Sequence, residues 1–451
     1  MPNTAKIIIW GMGITGQACA EYLIKQGKNL ILIDRKDPTL WLDVSRYPGN
    51  VITFSEDQVT LEIIKKYPIE YILASPGIDL RKGHFPQIRE MGIPIMGDIE
   101  FVFLHTQTPI IAVTGTNGKS TTVNMIKSAL ELAGKKVFLG GNWGIPAVKA
   151  LENTHDMQYD WLVLETSSFQ LELTKTFAPA VAVITNITMS HAERYDDFHS
   201  YLNAKLQIIN CSVQKASHVV LPKKQRELFY PHLEKTSKIQ HLFDTKDLEL
   251  FDFSKVKVLG PHNLENFSAT YQVLKSINLE NRDEVMQKLI DTFSGIPHRL
   301  ERVGSWHEVY FYNDSKSTNI EATKTALSSF SQYLPHHPIV LILGGKLRSD
   351  DVSFLEQLKG FSKIALVLSF GEAAQKVNKQ MGSWIKVEAM KTLSEIIIFL
   401  EKHLRADTQQ KLILLFSPSF PSFDQYKNFE HRGEMFKQEV QALIQRLPKE
   451  S

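Results

Sequence analysis

Cysteine is nearly absent: Cys19 and Cys211 are the only two in 451 residues, each among apolar neighbours. Two thiols so placed make neither a disulfide framework nor a CxxC metal or redox motif, and they point to a cytosolic setting. Long hydrophobic runs are missing too. The run at residues 7–10 stops at glycine, and none approaches the roughly 18 residues that cross a bilayer, which argues against export and membrane insertion. Nor does one sign of charge prevail. With 51 Lys plus Arg against 49 Asp plus Glu, the formal net charge is +2, so no overall field draws the chain to nucleic acid or membrane.

What is present is length and order. A chain of this size holds about three domains, and its 43% apolar fraction is ample for their interiors. Apolar runs at residues 6–10, 29–33 and 71–74 alternate with helical patterns such as 15–25, the rhythm of a small parallel α/β unit. The turn at Thr108 and Pro109 reads as a hinge. A second unit opens with a strand at 110–114, a glycine loop, and a helix through Leu132 with Val123, Ile126 and Leu130 on one face. Further strands are expected at 161–164, 180–184 and 218–221. Open α/β sheets bind ligands at the carboxyl ends of their strands, so Glu165, Asn186 and the glycine loop are expected to converge. A third unit begins near Glu301, with strands at 309–312, 339–343, 364–368 and 412–416. It ends in a helix from about Asp424, with Ser422 and Gln425 as a capping box.

The chemistry concentrates at strand ends. Gly115, Thr116, Asn117, Gly118, Lys119 and Ser120 join a strand to a helix. There glycines let backbone amides turn toward an oxyanion, the helix start adds partial positive charge, Lys119 can reach outer phosphates and Ser120 can ligate Mg²⁺. The loop is shorter than GxxxxGK, but its context favours a phosphate cradle over an ordinary glycine-rich turn. Residues 11–16, a GxGxxG run, also join strand to helix, and Asp34 ends the next strand. Three readings stay open for that loop: a dinucleotide, another nucleotide-like ligand, or a structural tight turn. No place for nicotinamide chemistry is evident, which weighs against an oxidoreductase; a nucleotide-binding regulatory protein without catalysis is the other rival. Glu165 suits a cation or its water, or a helix cap. By periodicity alone His191 and Lys205 fall on loop and helix surface, where a lysine is ordinarily a solvated charge. In the third unit, loops at 313–318, 344–348 and 417–423 follow strands and suggest one shared crevice, with Arg348 the natural fork for a carboxylate.

Together with residues 74–78, 97–100, 140–142, 164–172, 191–195, 260–266, 297–299 and 424–433, these motifs occur in an order that resembles the Mur ligase family. The resemblance is to its branch that adds D-glutamate to UDP-N-acetylmuramoyl-L-alanine. It implies a three-domain α/β architecture: a Rossmann-like N-terminal UDP-substrate-binding domain (1–98), a central P-loop ATPase-like domain (99–302) and a Rossmann-like C-terminal amino-acid-binding domain (303–451). By resemblance, Ile14, Thr15, Asp34, Lys36 and Ser75 lie at the uridine diphosphate end of the substrate, and Asn142, Ser167 and His191 near its reacting end. The phosphate loop with Thr121, together with Asn263, Asn266, Arg299, Asp314 and Lys316, would hold ATP. Ser120, Glu165, His191 and Lys205 as a carbamate would hold Mg²⁺; Lys119, Glu165, His191 and Lys205 would serve catalysis. Thr318, Arg348, Ser422, Phe423 and Phe429 would bind D-glutamate. The implied activity is ATP-dependent amide ligation through an acyl phosphate, in peptidoglycan precursor synthesis, by a cytoplasmic monomer. The chain departs from the family's pattern at Ser190 and Glu193 beside His191, at Arg348 in place of lysine, at Thr166, and at residues 221–224.

Overall fold

The computed structural model describes residues 5–35, 51–152, 159–188, 194–210, 218–233, 238–258, 261–334, 336–347 and 352–448. The chain forms two compact units, Met1–Phe253 with His262–Ile290, and Ser254–Pro261 with Asp291–Ser451. The first unit contains two sheets and the second contains one.

The first sheet holds β1 (Lys6–Trp10), β2 (Asn29–Asp34), β3 (Val51–Ser55), β4 (Ile69–Ala74) and β5 (Ile95–Met96), all parallel, in the order β3-β2-β1-β4-β5. Isoleucine and leucine run through β1 and β2 without alternation because both faces of a parallel sheet are covered. Strand order reverses at β1, so the loops after β1 and β4 diverge and leave a crevice between them.

The second sheet holds β6 (Ile110–Thr114), β7 (Val137–Gly141), β8 (Trp161–Glu165), β9 (Val181–Ile184), β10 (His218–Pro222) and β11 (Ile239–Phe243), again parallel, in the order β11-β10-β9-β6-β8-β7. Every residue of β6 is buried, and its carboxyl end lies between those of β8 and β9. The helix Asp98–His105 ties the first sheet to the second. Its buried Glu100 accepts hydrogen bonds from the amides of Lys175, Thr176 and Phe177 and the hydroxyl of Thr176, at 2.6–3.0 Å. Asp98 accepts from Gln170 Nε2 at 3.2 Å, and burial pushes its carboxyl up to about 6. The Thr108–Pro109 turn, expected as a hinge, therefore lies inside one compact unit fastened by these carboxylates.

The third sheet holds β12 (Glu301–Trp306), β13 (Val309–Asn313), β14 (Ile339–Gly344), β15 (Ile364–Phe370), β16 (Val387–Ala389) and β17 (Leu412–Ser419), in the order β12-β13-β17-β14-β15-β16. Only β12 is antiparallel to its neighbour. The last helix is Phe429–Arg446, not one beginning near Asp424. Asn428 caps it by accepting from the His431 amide, whereas the Ser422 carbonyl accepts from the Gln425 and Tyr426 amides in a preceding turn. Among the described residues, no helix is long and apolar enough to cross a membrane.

Candidate functional site

The loop after β6 is held from three sides. Asn186, just beyond β9, accepts from the Asn117 amide through its side chain (3.0 Å) and from the Thr116 amide through its carbonyl (2.8 Å). Thr185 donates its hydroxyl to the Asn117 carbonyl at 2.6 Å, and Thr116 donates to the Thr188 carbonyl at 2.9 Å. Gly118 opens the helix Lys119–Leu132 with φ of +81°, and a side chain there would strike Asn266 Oδ1, so only glycine fits. Lys119 Nζ donates back to the carbonyls of Gly115 and Thr116, both at 2.9 Å. Asn266 accepts from the Thr122 hydroxyl and donates to Asn263, each at 3.2 Å, which puts both asparagines beside the loop.

Glu165, 3% exposed at the end of β8, is the pivot of this end of the sheet. One carboxylate oxygen accepts from Ser120 Oγ at 2.6 Å and the other from Asn142 Nδ2 at 2.8 Å. A buried hydroxyl and a carboxylate at a phosphate loop supply the hard oxygens that Mg²⁺ takes. Among the described residues no group of three or more His, Cys, Asp or Glu forms a metal cluster. Ser167 caps the short helix Ser168–Leu171 in a reciprocal pair with Gln170.

Lys205 contradicts a surface reading. On the helix Phe198–Asn210 it is 2% exposed, donates to the Gly115 carbonyl at 2.8 Å and lies 4.8 Å from the Tyr201 ring centre. Burial, reinforced by the charge of Lys119 and opposed by Glu165, brings its ammonium down to about 7. Tyr201 in turn shares a 3.1 Å hydrogen bond with Thr116. Sequence reasoning passed over Tyr201 and Thr185 because neither carries a motif signal.

In the first sheet a crevice of about 390 Å³ is lined by Ile14, Thr15, Asp34 and Ser75, and also by Arg35 and Glu56. Gly16 packs so tightly on the Gly11 carbonyl that no side chain is possible there. Asp34 accepts from the Met12 amide at 2.5 Å, and Ser75 donates to the Gly11 carbonyl at 2.6 Å, so both acid and hydroxyl shape the glycine loop.

The second unit carries its own polar cluster. Asp314, buried, accepts from Ser317 (2.5 Å), Ser417 (2.8 Å) and the Leu300 amide (3.2 Å); burial raises its carboxyl to about 6 against those bonds. The Lys316 amide donates to the His298 carbonyl at 3.0 Å, and Arg299 is exposed close by in sequence. Ser422 is buried, Phe423 exposed, and Phe429 half-buried with its carbonyl accepting from Ser315. Thr318 follows Lys316 in the same turn. Lys36, His191 and Arg348 lie outside the described residues.

Arg432 holds this end of the third sheet together, a role the sequence did not announce. Fully buried, it donates to the carbonyls of Ser315 (2.8 Å), Phe420 (2.9 Å) and Gly344 (3.4 Å) and to Ser315 Oγ (3.0 Å). It thus joins the loops after β13, β14 and β17. Arg432→Met is expected to strip donors from buried carbonyls at about 1–3 kcal/mol each. Urea unfolding of the variant should show the second unit destabilised by at least about 2 kcal/mol.

Comparison with known proteins gives one family. The model of the Mur ligase MurD-like N-terminal domain matches residues 5–97, and that of the Mur ligase middle domain matches residues 113–274. The UDP-N-acetylmuramoylalanine--D-glutamate ligase of Prochlorococcus marinus (strain NATL2A) is 33% identical over 463 residues, covering 95% of this chain and 96% of its own. That of Buchnera aphidicola subsp. Schizaphis graminum is 33% identical over 454 residues, covering 96% of each. The MurF ligase of Thermotoga maritima, solved with ADP, shares the fold with a TM-score of 0.52 at 16% identity, over 98% of this chain and 96% of that one.

Proposed function

Because the chain belongs to the Mur ligase family, in its UDP-N-acetylmuramoylalanine--D-glutamate ligase branch, we propose that it ligates D-glutamate to UDP-N-acetylmuramoyl-L-alanine through an acyl phosphate. The substrate carboxylate attacks the γ-phosphorus of ATP and ADP leaves. The amine of D-glutamate then attacks the acyl carbon, phosphate leaves, and the amine gives up its proton as the amide forms. The observation that carries this reading is the Ser120–Glu165–Asn142 chain beside the Lys119 loop, a phosphate cradle with hard oxygen ligands at one strand end.

When bound at Ser120 and Glu165, Mg²⁺ supplies charge to the transferring phosphoryl group. Lys119 leaves its own loop carbonyls to reach the outer phosphates, and the start of the helix Lys119–Leu132 offers its partial positive charge to the same oxygens. Asn266, pressed against Gly118, and Asn263, which accepts a hydrogen bond from it, serve the nucleotide. In the crevice of the first sheet, Ile14, Thr15, Asp34 and Ser75 receive the uridine diphosphate end, a role the family resemblance gives to Lys36 as well; Asn142, Ser167 and His191 attend the reacting end. Arg299, Asp314 and Lys316 contribute to ATP, and Thr318, Arg348, Ser422, Phe423 and Phe429 to D-glutamate. Residues 1–98, 99–302 and 303–451 are taken as the three domains. A reaction that consumes ATP at every turn belongs in the cytoplasm, and we assign it to a monomer.

Phosphate release from the purified chain with ATP, Mg²⁺, UDP-N-acetylmuramoyl-L-alanine and one amino acid at a time tests the assignment. D-Glutamate is expected to give the highest kcat/KM. D-Aspartate, one CH₂ shorter, cannot seat both carboxylates while presenting its amine; a methylene is worth about 10–200-fold in such a site. L-Glutamate should be turned over no better than D-aspartate. Similar specificity constants for all three would overturn the amino-acid assignment, and no phosphate release with any of them would overturn the ligase.

A further inference from the structure

Arg194 lies in the 191–195 stretch beside His191, but no step of the ligation chemistry uses it; it joins the crevice of the first sheet to the phosphate end of the second. Its Nη2 donates to Glu172 Oε2 at 2.7 Å and to the Ile78 carbonyl at 3.4 Å, and its Nη1 lies 3.7 Å from Asp79 Oδ1. Arg81 grips Asp79 through Nε (2.9 Å) and Nη2 (3.0 Å) and also donates to the Arg194 carbonyl at 3.1 Å, so the attachment runs both ways. The guanidinium lies 5.2 Å from the Phe169 ring centre, and its side chain is 12% exposed.

Each contact leads to a part of the candidate site. Ile78 lines the crevice, and its amide donates to the carbonyl of Ser75, whose hydroxyl holds the Gly11 loop. Glu172 ends the short helix that Ser167 caps, and its amide donates to the Ser168 carbonyl. One side chain therefore spans the wall of the crevice and the base of the Ser167 turn.

A folding role alone explains this poorly. Sheltered ion pairs contribute little net stability, because desolvation offsets the attraction; what they fix is geometry.

We propose that Arg194 is a positioning residue for the long UDP-linked substrate. It sets the spacing between the crevice that takes the nucleotide end and the Ser167 turn that takes the reacting end. This rests on the assignment of the crevice to the uridine diphosphate group. Two ligands separate the possibilities: UDP alone reads only the crevice, whereas UDP-N-acetylmuramoyl-L-alanine reads the crevice and the spacing together.

Calorimetric titration of wild type and Arg194→Met with each ligand is the test, alongside steady-state kinetics. In the variant, UDP affinity is expected to stay within about twofold, while affinity for the full substrate falls at least about tenfold and KM for ATP is unchanged. Glu172→Gln, which keeps the shape and removes the charge, should move the full substrate the same way by a smaller factor, and it serves as the reading if Arg194→Met fails to fold. Equal loss of both ligands, or loss of neither, would overturn the positioning role. Failure of wild type to bind UDP would instead remove the crevice assignment beneath it.

Discussion

Lys119→Ala is expected to lower kcat by at least about 10²-fold, roughly 3 kcal/mol of transition-state stabilisation, with the fold intact. The size follows from where the charge acts. As the phosphoryl group leaves ADP, negative charge spreads over its oxygens, and the Lys119 ammonium, turned from the loop carbonyls onto the bound phosphates, offsets it. Lys119 is already held within that loop by the Gly115 and Thr116 carbonyls. The fold should survive because the loop has other supports: Asn186 binds the Thr116 and Asn117 amides, Thr185 caps the Asn117 carbonyl, and Gly118 supplies the left-handed residue that starts the helix. Phosphate release with saturating substrates, beside a melting curve, checks both halves. Turnover within a few-fold of wild type would remove Lys119 from phosphoryl transfer.

Local sequence marked the places where backbone geometry demands particular residues. A glycine pair before Lys119, glycines after β1, and an acid closing β8 are legible because turns and strand ends restrict residue type within a few positions. What stayed hidden depends on distant partners. Asp98 and Glu100 resemble first-turn acids of any helix, yet their acceptors are filled by groups more than 70 residues away. Arg432 looks like a basic residue near a helix start, and only the return of three strand-end loops encloses it. The start of that helix was misplaced because two capping signals compete. Ser422 with Gln425 is overruled by Asn428, from which Phe436, Val440 and Leu443 fall in register with the third core. β12 was missed because an edge strand with Gly304 and alternating polar residues carries little hydrophobic signal.

Lys205 is the sharpest case of a residue whose neighbours conceal it. Tyr201, Leu202, Ala204, Leu206, Ile208 and Ile209 are all buried around it, so its helix has too little polar face for periodicity to show which way the lysine turns. Burial beside Gly115, reinforced by Lys119 and opposed by Glu165, brings its ammonium down to about 7, so the neutral amine is far more accessible near neutral pH than for a solvated lysine at about 10.4. The neutral amine can attack carbon dioxide: an N–C bond forms, a proton leaves the nitrogen, and the resulting carbamate carries anionic oxygens suited to a hard cation. We propose that Lys205 acts in this form, with His191, at a second Mg²⁺. Lys205→Ala is then expected to lose at least about 10²-fold in kcat, comparable to removing an oriented group at a transition state. Acetate or formate should restore part of that loss by returning carboxylate oxygens to the cavity, while Lys205→Gln, which has an amide but no anionic oxygen, should stay inactive. Phosphate release across an acetate series reads all three. An alanine variant that works at near wild-type rate without added carboxylate would refute the catalytic role, and an active glutamine variant would refute the need for a carbamate.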